Sequence, residues 1–111
     1  MYEIMHVGVP VKEPVLEEFY AEGLKVHISG PDNNPLKFEY LRFEEGTPLH
    51  PDVLNFTHVA YKVPNIDTFI KDHQAIVLNE RMTVDEHLDI AFVKVDGTVT
   101  KVSAMFLKRS R

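Results

Sequence analysis

The segments MHVGVPV (5–11) and THVAYKV (57–63) decide the fold, because they are two copies of one pattern. Their histidines stand at positions 6 and 58, an offset of 52 residues. A second pair of similar segments repeats at the same offset: LKFEYLRF (36–43) and LDIAFVKV (88–95). Two separated matches at one offset indicate an internal duplication rather than a coincidence of valine-rich strands. Each half is therefore expected to fold as one supersecondary unit.

Both halves predict the same order of elements. In the first half, the apolar residues within 15–20 share one face of a helix that would begin near Pro14 and end near Gly23. In the second half, Asn65 is a candidate N-cap for a helix whose apolar face comes from residues 66–70. Strands are predicted by alternation and composition over residues 3–11, 25–29, 36–43, 47–50, 57–63, 75–82, 88–95 and 98–107.

The order βαβββ, found twice, predicts an α+β fold. A chain of 111 residues with 44% hydrophobic content fits a single domain with an ordinary core. We expect one domain over residues 1–111, with module one near residues 1–50 and module two near residues 55–107.

Composition excludes several classes of protein. A net charge of −5 argues against nucleic-acid binding, and the basic end at 108–111 is too short to change that. The absence of cysteine rules out disulfides, thiolate metal sites and cysteine nucleophiles. No apolar run approaches a membrane span of ~20 residues, and the first residues lack the pattern of a secretory signal. The sequence therefore predicts a cytoplasmic protein that binds neither nucleic acid nor membrane.

Alternation within the first strand of each half separates two faces of the predicted sheet. The valines of 7–11 share one face and should bury against the helices, which leaves His6 and Gly8 on the other face. The second copy repeats this arrangement with His58 and Ala60. Both histidines are thus expected on an inner face, where they would approach each other across a pseudo-two-fold axis.

A symmetric pair of imidazoles suits a divalent metal ion, because neutral imidazole is a common ligand for Zn, Ni, Fe and Cu. The alternative is that each histidine fills a polar slot on a half-exposed face. The sequence alone leaves both interpretations of His6 and His58 open.

Three regions of the chain resemble the vicinal oxygen chelate superfamily, the glyoxalase, bleomycin-resistance and extradiol dioxygenase group. They are HVGVPV (6–11) followed by FY (19–20), THVAYKVPNID (57–67) and IAFVKVDG (90–97). The resemblance implies two βαβββ modules that form a cupped mixed sheet with helices on the outer face and a ligand site in the cup. Many members bind a metal there and chelate substrate through two neighbouring oxygens, whereas others sequester antibiotics without a metal.

The superfamily pattern places one metal ligand on the first strand and one on the last strand of each module. Carried over, the first-strand positions are His6 and His58, and the last-strand positions, four residues after each turn glycine, are His50 and Lys101. The resemblance thus implies that His6, His50 and His58 hold Zn, Ni, Mn or Fe. His50 lies between two prolines, so the alternative for it is a loop histidine.

Lys101 departs from the pattern, which usually has Glu, Gln or His there. Its ammonium group has no lone pair and repels a dication. Lys101 is therefore a candidate catalytic base or a contact for an anionic substrate, and it equally suggests that the metal has been lost.

Four further residues are candidates for the site. Glu39 could place a catalytic carboxylate in the cup, with an exposed position on an edge strand as the alternative. Arg81 and Asn79 share a strand face and could bind a carboxylate or phosphate, with a surface salt bridge as the alternative. Ser103 would lie near the site if the last strand were shifted.

Two functions remain open at this point. The first is a metal-dependent lyase or isomerase that acts on a small oxygenated metabolite through an enolate-like anion. The second is a metal-free small-ligand-binding protein of the antibiotic-sequestering type. A homodimer is expected in either case, because a curled sheet of this size leaves edges and a cleft that a partner covers.

Overall fold

The computed structural model describes residues 2–107 of the chain, so the basic end at 108–111 lies outside the described residues. This part contains eight strands, paired in both parallel and antiparallel fashion, and two short α-helices. The strands are β1 (Glu3–Pro10), β2 (Glu18–Ala21), β3 (Val26–Ser29), β4 (Phe38–Phe43), β5 (His58–Lys62), β6 (Ile76–Asp85), β7 (Leu88–Val95) and β8 (Thr98–Met105). The helices are α1 (Pro51–Asn55) and α2 (Ile66–Asp72). Within the described range, neither helix has the length and apolar character needed to span a bilayer.

The chain divides into two compact units with the same strand topology. The N-terminal unit, residues 6–58, has the strand order β2-β3-β4-β1. The C-terminal unit, residues 2–5 and 59–107, has the order β5-β8-β7-β6. In each unit the first strand pairs in parallel with the last, and the remaining pairs are antiparallel. Mixed pairing is therefore confirmed in both units.

The shared topology corrects one part of the sequence alignment. Because β4 pairs in parallel with β1 and β8 pairs in parallel with β5, β4 is the counterpart of β8. The sequence had instead matched residues 36–43 with residues 88–95, which form β7. Both segments are apolar strands, so composition does not distinguish them, and only the pairing partner does. In the corrected register Gly8 opposes Glu39, and Ala60 opposes Lys101.

The helix predicted in the first half is wrong. Residues 18–21 form β2, and residues 22–24 form a single 3-10 turn. Glu17 has a positive φ of 62°, which interrupts any helix there, and the side chain of Leu16 is 86% exposed. A short helix is stable only when its apolar face is buried, and pairing of β2 with β3 satisfies the backbone instead. Within residues 2–107, the order βαβββ occurs in the C-terminal unit but not in the N-terminal unit.

The strand predicted over residues 47–50 is also absent. This segment is irregular and leads into α1, which begins at Pro51. Pro48 lies within this segment and Pro51 follows it. Proline has no N–H to donate to a strand partner, whereas it suits the first position of a helix.

Helix α2 forms as predicted and covers one face of the C-terminal unit. The side chain of Asn65 accepts a hydrogen bond from the backbone N–H of Thr68 at 2.9 Å and caps the helix. Its apolar face joins a buried cluster with residues of β7 and β8: Val63, Ile66, Phe69, Ala91, Val93, Val102 and Ala104. Because side chains alternate along a strand, Lys101 and Ser103 lie on the opposite face of β8.

Candidate functional site

The N-terminal unit holds a buried pair of ionisable side chains. His6 Nε2 lies 3.3 Å from Glu39 Oε1, and the two side chains are 7% and 14% exposed. His6 lies on β1, and Gly8, two residues further, is the register partner of Glu39 on β4. By alternation His6, Gly8 and Glu39 share one sheet face. The structure thus brings together His6, which the sequence predicted for the inner face, and Glu39, for which the inner face was one of two interpretations.

The contact between the two side chains is not a well-formed hydrogen bond. The Nε2 atom of His6 is buried and makes no hydrogen bond within the described residues, although Glu39 Oε1 is its near neighbour. A carboxylate beside an imidazole orients the ring and balances positive charge that develops on it, as in catalytic His–carboxylate pairs. The arrangement can therefore support proton transfer by His6.

His58 packs directly against Gly8. A Cβ atom built on Gly8 would lie 2.2 Å from Cε1 and 2.3 Å from Nε2 of the His58 ring. The ring therefore occupies the space above the Gly8 α-carbon, which only glycine leaves free. His58 is 1% exposed. Alternation along the first strand predicts Gly8 on this face but assigns it no role, although a glycine within a strand is a signal of close approach.

His50 has a structural use that the sequence did not foresee. Its Nδ1 accepts a hydrogen bond from the backbone N–H of Asp52 at 3.0 Å, and His50 is the N-cap of α1. Within residues 2–107, no three or more histidine, aspartate or glutamate side chains are grouped to hold a metal ion. The predicted set of His6, His50 and His58 is not assembled as ligands, so the metal stays a prediction.

The remaining candidates belong to the C-terminal unit. Lys101 is half-buried and Ser103 is buried, both on the face of β8 that α2 does not cover. Asn79 is half-buried on β6. Arg81 Nη1 donates to Asp67 Oδ2 at 3.1 Å, and both side chains are more than half exposed. Arg81 thus forms the surface salt bridge that was its alternative, and its role in substrate binding stays a prediction.

A second His–Glu pair lies at the surface of the N-terminal unit. His27 Nε2 lies 3.0 Å from Glu44 Oε2, and the Tyr20 hydroxyl donates to Glu44 Oε1 at 2.8 Å. The hydrogen bonds from His27 and Tyr20 lower the pKa of Glu44, and the same carboxylate raises the pKa of Tyr20. The side chain of Glu44 is 48% exposed, so this pair is a solvated counterpart of the buried pair of His6 and Glu39.

Glu18 and Arg42 form a two-pronged salt bridge beside that pair. Arg42 Nη2 lies 2.6 Å from Glu18 Oε1, and Arg42 Nε donates to Glu18 Oε2 at 3.1 Å. The hydrogen bonds from Arg42 lower the pKa of Glu18 to about 2 and raise the pKa of Arg42. No sequence pattern predicts this bridge, because it joins two strands whose register is set only by the fold.

No family model and no curated protein sequence matches this chain. The resemblance to the vicinal oxygen chelate superfamily therefore rests on the segments quoted above. Among the described residues, His6 and Glu39 form the least exposed contact between a histidine and a carboxylate.

Proposed function

We propose that this chain is a glyoxalase-like small-molecule enzyme, a lyase or isomerase that acts on a small oxygenated metabolite. The observation that carries the proposal is the 3.3 Å contact between His6 Nε2 and Glu39 Oε1, with both side chains largely removed from water. Burial of ionisable groups costs free energy even when they are paired, and such groups concentrate at functional sites. The pair supports acid–base chemistry better than a purely structural role.

In this proposal His6 removes the proton from the carbon beside a substrate carbonyl, and Glu39 holds the ring in place and balances its charge. An isomerase returns that proton to a neighbouring atom of the same substrate. A lyase instead gives it to a leaving group as the bond to that group breaks. A positioned acid–base side chain contributes about 10²- to 10⁴-fold to the rate of such a step.

The resemblance also implies a metal. The corrected register supports Glu39, rather than His50, as the last-strand position of the N-terminal unit, with Lys101 as its counterpart in the C-terminal unit. His6, Glu39 and His58 are donors of the types that Zn, Ni, Mn and Fe accept. Because no three-ligand group is assembled among residues 2–107, we assign no step to a metal.

The proposal also includes three expectations from the sequence: the two modules form a cup, the protein is a homodimer, and it is cytoplasmic. Lys101 is its candidate contact for an anionic substrate, because a half-buried ammonium group attracts carboxylates and phosphates. Asn79 and Ser103 are candidate polar contacts.

A second candidate function is metal-free binding of a small ligand, as in the antibiotic-sequestering members of the superfamily. The packing of the His58 ring onto Gly8 favours this binding function. An imidazole that is so tightly enclosed shapes the site rather than transferring protons. In this case the polar groups of the inner face would orient a ligand without reacting with it.

Proton exchange in D₂O separates these functions. Purified protein is incubated with a panel of small α-hydroxy and α-keto carbonyl compounds, and loss of the α-proton signal is followed by NMR. We expect exchange with at least one compound, and a loss of about 10²- to 10⁴-fold in His6→Gln and Glu39→Gln. The matched controls are His27→Gln and Glu44→Gln, which remove the same groups from the exposed pair and should leave exchange unchanged.

Each alternative has its own signature. Absence of exchange, together with a rise in melting temperature on adding one of the compounds, supports the binding protein. Elemental analysis of untagged protein tests the metal separately, and near-stoichiometric metal that disappears in His6→Gln supports a metal site. Equal losses in the buried-pair and exposed-pair variants would refute the role of His6 and Glu39.

A further inference from the structure

A separate cavity in the C-terminal unit contains none of the residues on which the proposed function depends. Its volume is about 600 Å³, and four of the side chains that line it are rings: Tyr2, Tyr61, Phe69 and His73. Small-molecule sites have volumes of about 300–1,000 Å³. The volume of this cavity thus lies within the range of small-molecule sites.

The Tyr2 ring is steeply inclined to its aromatic neighbours in the lining, whereas the Phe69 and His73 rings are inclined by only 35°. The Tyr2 ring centroid lies 5.2 Å from that of Phe69 and 6.4 Å from that of Tyr61, with interplanar angles of 64° and 65°. The hydroxyl of Tyr2 lies 3.1 Å from His73 Nε2, which ties the N-terminal segment to the end of α2. Rings inclined by about 65° offer negative π-faces from more than one direction, which is the feature that aromatic cages use to hold ammonium groups.

The lining of the cavity includes a negatively charged side chain, which favours binding of a cation. Asp96, an exposed carboxylate in the turn between β7 and β8, also lines the cavity. The polar residues beside it are Thr98 and Thr100, and the residues that line the cavity within 2–107 include neither lysine nor arginine. The net charge of −5 adds a long-range attraction for cations.

We infer that this cavity binds a small organic cation, an alkylated or quaternary ammonium compound. The ammonium head lies against the faces of Tyr2 and Tyr61, and Asp96 balances its charge. This site goes beyond the proposed enzymatic function and does not depend on it, since none of its residues belongs to the N-terminal unit.

An NMR titration with choline tests the site, and 3,3-dimethylbutan-1-ol, its neutral carbon analogue, is the matched ligand. We expect saturable shifts of the Tyr2 and Tyr61 signals with choline and about 2- to 30-fold weaker binding of the analogue, as loss of a cation–π contact requires. Asp96→Asn should weaken choline binding by about 2- to 10-fold. Asparagine suits the turn because Asp96 has a positive φ of 48°. Glu80→Gln removes an exposed charge of the same unit outside the cavity and should change binding by less than about 2-fold.

Tyr2→Leu removes one wall of the cavity and should reduce choline affinity by about 2- to 30-fold. If that variant does not fold, the comparison of Asp96→Asn with Glu80→Gln still decides the question. Equal affinity for choline and its neutral analogue would overturn the inference. So would equal effects of the two charge variants, or no saturable shift at about 50 mM choline, where a site of millimolar Kd is filled.

Discussion

Gly8→Ala is the substitution whose effect the structure defines most closely. The added Cβ would lie 2.2, 2.3 and 2.9 Å from Cε1, Nε2 and Nδ1 of His58, whereas ordinary carbon contacts are about 3.5–4.0 Å. The ring would have to move by more than about 1 Å. With 1% exposure, His58 has no open space to move into.

The expected cost follows from two opposing terms. Overpacking of a buried site costs about 1–3 kcal/mol, and an overlap of this size belongs at the upper end. Gly8 does not have a positive φ, so alanine can adopt its backbone conformation. Because alanine also restricts the unfolded chain, it raises the free energy of unfolding by about 0.4–1 kcal/mol, which opposes the cost of the clash. Gly8→Ala should therefore lower the free energy of unfolding by about 2 kcal/mol.

The partner of the clash is tested by a double-mutant cycle in urea, with far-UV circular dichroism as the probe. In a His58→Ala background the obstacle is gone, and Gly8→Ala should raise the free energy of unfolding by about 0.4–1 kcal/mol. Gly30→Ala is the control, because nothing lies within 4 Å of its added Cβ. If Gly8→Ala costs the same with and without the His58 ring, then the ring is not what excludes a side chain there, and the site geometry built on this contact is wrong.

Three further outcomes follow from the described contacts. Arg42 lowers the pKa of Glu18 to about 2, so the ion pair stabilises the fold fully above the ordinary carboxyl pKa of 4.5. This stabilisation is lost as pH falls from 4.5 towards 2. Melting temperatures measured across that range should therefore fall less steeply in Glu18→Gln than in the wild type. Asn65→Ala removes the cap on the Thr68 N–H and should cost about 0.5–2 kcal/mol in urea unfolding, whereas Asn65→Asp should cost little. Phe69→Ala, in the core under α2, should cost about 3–5 kcal/mol, and a loss below about 1 kcal/mol would mean that α2 is not packed as described.

Strand alternation and helix capping, which depend only on neighbouring residues, were predicted correctly from the sequence. Alternation in the two copies of the repeated strand placed His6 and His58 on one kind of face, and both side chains are buried. The N-cap at Asn65 and the apolar face that follows it predicted α2 correctly. In each of these cases a few adjacent residues contain the whole signal, since capping and strand alternation act over distances of two to four residues.

The helix expected after Pro14 failed for a physical reason. Its apolar residues have a helical spacing, but that spacing stabilises a short helix only when another surface covers its apolar face. Here Leu16 stays exposed and residues 18–21 pair with β3. Tertiary pairing outweighed a weak local preference, as it commonly does in short segments.

The amino-acid sequence by itself determined that the chain repeats one strand pattern, that it contains no cysteine chemistry and that a histidine stands in the first strand of each half. Only the tertiary structure decided which residue each histidine meets. Glu39 reaches His6 because β4 returns parallel to β1 in a register that opposes it to Gly8, and His58 closes over that glycine. Register and close approach join residues more than thirty positions apart, and such contacts are fixed by the packing of the whole unit rather than by any segment of its sequence.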